Sequence, residues 1–151
     1  MRNFVFTAFI CGLTLGVLGQ SQAGAEVLIT AEEAKLPASV NAAMNTRGLT
    51  RGPGIEQESP SAVQSVKSPL PLKIKFEPRN NVPIDLASVK LVYLKATPVD
   101  LTERVKKHIA AEGITMDGAE VPPGVHVLRL DLKDAQGRVA TALIKITVAD
   151  Q

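Results

Sequence analysis

The stretch "LDLKDAQGRVATALIKITV", residues 130–148, decides the fold. Leu130 and Leu132 alternate with Asp131 and Lys133, and after a short break Ala142, Ile144, Ile146 and Val148 alternate with Thr141, Lys145 and Thr147. A period of two marks strands with one buried and one wet face. Residues Asp134 to Arg138, with Gly137 among them, form the short loop of a hairpin. Reading backwards, "VHVLR" (125–129) extends the first strand, placing Leu128 inward and giving His126 the same parity.

Working outward, Pro122-Pro123-Gly124 is a strong break, preceded by a strand fragment in "ITMDGAE" (114–120). "LPLKIKFEP" (70–78) alternates strictly, with Leu70, Leu72, Ile74 and Phe76 inward. "SVKLVYLKA" (88–96) carries apolar groups on both faces, which predicts a strand covered on both sides. Its Tyr93 is expected in the core with its hydroxyl reaching a partner. "IEQES" (55–59) is a further short strand, and "PSAVQSVKSP" (60–69) is turn-rich. Between the middle strands, Asp100 and Glu103 have capping spacing, Leu101, Val105 and Ile109 recur every four residues, and Gly113 supplies a stop. This predicts one short amphipathic helix. Breaks every 8–12 residues and a single helix predict an all-β, antiparallel sandwich of the immunoglobulin-like kind.

The first 25 of the 151 residues read as a separate object. Arg2, the apolar run Phe4–Leu18 and Ala23-Gly24-Ala25 have the layout of a secretory signal peptide cleaved before Glu26. The run is shorter than the ~20 residues of a spanning helix, so no membrane span is expected after cleavage. Residues 26–53 read as an arm or linker, in which "EVLIT" and "AEEAKL" offer at most an edge strand and one helical turn. The near-repeat Thr46-Arg47-Gly48 and Thr50-Arg51-Gly52 reads more simply as a linker with Gly hinges than as a cationic contact motif. Residues 54–151 are the sandwich domain. Cys11, the only cysteine, lies in the leader, and an exported small domain without disulfides points to a bacterial periplasmic or secreted protein.

"PPGVHVLRLDLKDAQGRVATALIKITV", preceded by "GIEQESPSAVQSVKSPLPLKIKFEP", resembles the bacterial immunoglobulin-like domains, including their cadherin-like and fibronectin-like variants. The pattern is a proline-glycine turn into the penultimate strand and a D-x-x-G bend, carried by Pro122, Gly124, His126, Asp134 and Gly137. The resemblance implies the fold over about residues 54–148 and says little of function.

The chemistry in the chain is sparse. His108 and His126 are the only histidines, no G-x-S-x-G elbow is present, and no enzyme or cofactor is expected. The copper carriers of this fold class use an N-terminal histidine with further His or Met ligands. Here the expected mature terminus is Glu26, and Met44, Met116, His108 and His126 lack ligand spacing. Asp117, Glu120, Asp131 and Asp134 lack the density of a calcium loop. A formal charge of +2, no Trp, one Tyr and four Phe argue against nucleic acid. The reading is therefore a non-enzymatic exported module that contacts an envelope or periplasmic protein. Either an open sheet edge or the basic cluster Arg104, Lys106, Lys107 and His108 would make the contact. A solvated helix face is the plainer account of that cluster. The alternative function is a small-ligand or metal-binding periplasmic carrier.

Overall fold

The computed structural model describes residues 24–39 and 51–150. The leader up to Ala23 and the first Thr-Arg-Gly repeat lie outside the described residues. In chain order the elements are β1 (Glu26–Val27), α1 (Ala31–Lys35), β2 (Gly54–Ser59), β3 (Ser65–Val66), β4 (Leu70–Glu77), β5 (Ile84–Tyr93), β6 (Val99–Asp100) and α2 (Thr102–Val105). A 3-10 turn (Lys106–His108), β7 (Ile109–Ala110), β8 (Gly113–Glu120), β9 (Gly124–Asp134) and β10 (Val139–Val148) complete them.

Two sheets form a β-sandwich. The first runs β1-β8-β4-β2, with β7 also on β8, and the second runs β3-β10-β9-β5-β6. The long ladders are antiparallel, whereas the two-residue strands β1 and β3 pair parallel to β8 and β10. Alternation decides which side chains meet in the middle. Leu70, Leu72, Ile74 and Phe76 of β4 and Ile114 and Met116 of β8 face Leu91 and Tyr93 of β5, Leu128, Leu130 and Leu132 of β9, and Ile144 and Ile146 of β10. Each such side chain contributes about 1.5–3 kcal/mol when fully buried. The C-terminal hairpin keeps an unbroken register from Val139↔Lys133 to Val148↔Gly124. Its turn is organised by buried Asp134, whose carboxylate accepts from the Gln136 and Arg138 amides (2.9 and 3.0 Å) and from Arg138 Nε at 2.6 Å, with Gly137 at φ 77°. β5 begins earlier than its apolar pattern suggests because a bulge between Asp85 and Lys90 interrupts the alternation. The Ser88 hydroxyl bridges it, accepting from Lys133 N and donating to Asp85 O.

The helix differs from the sequence reading. Only Thr102–Val105 is α-helical, and Ile109, expected as its last apolar contact, instead pairs with Ile114 in a β-hairpin. Asp100 does accept from Thr102 N (2.9 Å), but Glu103 pairs with Lys106 rather than reaching back. Four helical residues are too few to be stable by themselves, so the edge of β8 captures the rest.

The segment read as an arm is docked along its first part. Leu28 and Ile29 are buried, and their amides both donate to Glu120 O. Thr30 and Glu33 form a reciprocal capping box for α1. Farther on, Ala96 N donates to Pro37 O, and Ala38 bridges Lys95. Residues 26–38 thus form a strap across the end of the sandwich where β5, β8 and β10 finish.

Candidate binding surface

Four basic side chains, Arg104, Lys107, His108 and Lys95, contact the strap and set the geometry of this end. The Arg104 guanidinium donates from Nη1 and Nη2 to the two Glu33 carboxylate oxygens (2.8 and 2.7 Å), and Nη1 also donates to Leu28 O at 2.8 Å. The hydrogen bonds from Arg104, helped by those from Thr30, hold the Glu33 carboxyl down to about 2 against the opposing effect of burial. Lys107 Nζ and His108 Nε2 converge on Glu26 Oε2, each at 2.9 Å, and these two bonds lower the Glu26 carboxyl. Lys95 Nζ donates to Ala34 O (2.8 Å) while lying 5.0 Å from the centroid of the Tyr93 ring, a cation–π arrangement.

Of the basic cluster read from the sequence, then, Arg104 turns under the strap, Lys107 and His108 come together on Glu26, and Lys106 pairs locally with Glu103. The periodicity did not reveal the pairings of Arg104, Lys107 and His108, because their partners Glu33 and Glu26 lie over 70 residues upstream. One signal was present: Thr30-Ala31-Glu32-Glu33 has the spacing of a capping box, which marks an ordered helix start.

Behind the strap lies a buried polar pair. His126 Nε2 is 2.8 Å from Pro122 O, a carbonyl that can only accept, so Nε2 carries the proton and Nδ1 accepts from the Tyr93 hydroxyl at 2.8 Å. Burial depresses the imidazole, outweighing the opposing bond to Pro122. The Tyr93 phenol is pushed up to about 12 by burial, with the Glu33 charge adding to it. Both rings are thus neutral at ordinary pH. They hold the Pro122-Pro123-Gly124 turn in place, and Ser68 Oγ secures the same turn by accepting from Val121 N at 3.0 Å.

Between strap and turn runs an open groove of ≈ 680 Å³. Its lining includes Val27, Ile29 and Ala31 from the strap, Pro69, Pro122 and Pro123 from the turns, and the buried Val121 and Val148. Val27 remains 45% exposed. Of the residues lining the groove only Glu120 is charged, and its carboxylate has no ionic partner among the described residues. A smaller cleft of ≈ 220 Å³ beside Glu26, Lys107 and His108 also includes Asp117. Among the described residues, no three His, Cys, Asp or Glu side chains converge as metal ligands. Asp131 is held by Arg129 and Thr141, and Asp134 by its turn.

No family model matches this chain, and no curated protein matches it. Among solved structures, CopC from Methylosinus trichosporium OB3b is similar over 64% of this chain and 93% of its own, with 19% identity and a TM-score of 0.45.

Proposed function

We propose that this protein is a non-enzymatic, exported binding module that receives an extended segment of another envelope protein in the groove between strap and proline turn. One observation carries the reading. The groove keeps an apolar surface open to solvent beside β1, the outermost strand of its sheet, which pairs on one side only. An edge strand beside an apolar groove suits an added strand, whose main chain supplies affinity and whose side chains supply specificity. Export rests on the leader pattern of residues 1–25. Among the described residues no helix is long and apolar enough to cross a membrane. The absence of catalysis is read from the two histidines. One is committed to Glu26 and the other is sealed in the core.

A second reading, a carrier of a small apolar ligand, draws on the groove volume, which lies within the roughly 300–1,000 Å³ of ligand sites. Photo-crosslinking separates the two. A benzophenone side chain is placed at Val27, at Pro123, or at Val63, which is 95% exposed and is not among the groove residues. Discrete adducts with one envelope protein from Val27 and Pro123, absent from Val63, support the module. No groove adduct, with a rise in melting temperature on adding a small amphiphile, supports the carrier instead.

A further inference from the structure

The groove is not electrically neutral. Its lining carries Glu120 and no cation, and Glu32 and Asp150 flank lining residues Ala31 and Ala149, against Lys67 beside Ser68. Arg104 of α2, which reaches the strap, is already closed on Glu33. Glu120 is fixed in position by its own backbone, whose carbonyl accepts from Leu28 N at 3.0 Å and Ile29 N at 3.2 Å. The residue therefore keeps a set place in the groove lining, and its carboxylate has no ionic partner among the described residues, so a cation held against the apolar lining would meet an uncompensated charge.

Resting on the reading of the groove as a peptide site, we infer that the segment it selects is basic as well as apolar, with a Lys or Arg that meets Glu120 and aliphatic residues that cover Val27 and Val121. Acidic segments are rejected at the same point, since two carboxylates would face each other in a partly desolvated site. Glu120 is thus the specificity-determining residue, and the prolines and valines supply area without sequence preference.

The test is a charge swap at position 120. The protein is purified from a bacterial periplasm and titrated with a fluorescein-labelled nine-residue peptide of alternating Val and Thr with a central Lys, and with its twin carrying Glu. The Lys peptide is expected to bind about tenfold more tightly at low salt, with the gap narrowing as salt screens the pair. Glu120→Gln removes the preference, and Glu120→Lys reverses it. Val27→Tyr, which fills an exposed part of the groove, weakens both peptides alike. If Val27→Tyr weakens binding but the preference survives Glu120→Lys, the groove reading stands and the charge assignment is overturned. If neither peptide binds and neither position matters, the groove reading itself fails.

Discussion

Arg104 and Glu33 lie 71 residues apart in the chain and meet through two parallel hydrogen bonds, so that one fork ties the strap to the short helix. Both side chains remain partly open to solvent, which limits the pair to a contribution of about 1–2 kcal/mol. Arg104→Met is expected to lower the urea midpoint accordingly. The pH response gives the sign. Folding holds the Glu33 carboxyl at about 2 against an ordinary value of 4.5, so its stabilisation is present above 4.5 and lost as pH falls toward 2. The gap between wild type and Arg104→Met should therefore close across that acid window. A gap that persists at pH 2 would mean the arginine acts by packing alone.

Tyr93→Phe leaves His126 Nδ1 buried without a donor, which costs about 1–3 kcal/mol. The imidazole is depressed by burial, so the folded chain binds fewer protons there than the unfolded one. Its contribution is full above the unfolded value of 6.5 and is lost as pH drops through the folded value. Thermal melts should show stability falling as pH goes below 6.5. The fall should be smaller in His126→Gln, and an equal fall in both proteins would remove His126 as its source.

Gln57 uses its amide as a substitute strand. Nε2 donates to Lys145 O at 2.8 Å and Oε1 accepts from Lys145 N at 3.2 Å, covering the edge of β10 beyond the point where β3 leaves it. Exposed backbone on such an edge is a template for a second chain. Gln57→Ala should associate with itself as concentration rises in sedimentation velocity, while Gln57→Asn, too short to reach both groups, should behave in the same way. A strictly monomeric Gln57→Ala would show that the edge is guarded elsewhere.

Gly113 opens β8 at φ 149°, and a Cβ there would run into the Ile74 carbonyl. Gly113→Ala combines a disfavoured backbone with a clash against the paired strand. Its cost should exceed the about 1 kcal/mol typical of point substitutions. Gly118→Ala, where an added Cβ would make only ordinary van der Waals contacts, is the control and should melt close to wild type. Equal melting of the two variants would contradict the close approach of β8 to β4.

How legible all this was depends on the range of the interaction. Alternation in 70–77 and 124–148 is a local property, and the three strands there and their inward faces follow from it directly. His126 could be placed inside by parity, and Tyr93 could be expected to find a partner. That the two find each other depends on the register Tyr93↔Leu128, which no single strand encodes. Leu101, Val105 and Ile109 suggested a longer helix because a four-residue period cannot report that a neighbouring strand competes for Ile109. The strap stayed hidden for a related reason. Its two buried residues and one capping box are too short for periodicity, and its order comes from Arg104, Lys95 and Glu120, far along the chain.

The groove brings Val27 and Val148 to the same surface, although nearly the whole sandwich is synthesised between them. Under the proposed function, recognition would therefore not begin on a partial product. A chain that stops before β10 lacks Val148, and a chain trimmed past Val27 lacks that valine, so each loses part of the groove lining. A partner that binds here inspects, in one contact, whether both ends of the domain have been made and have returned to each other.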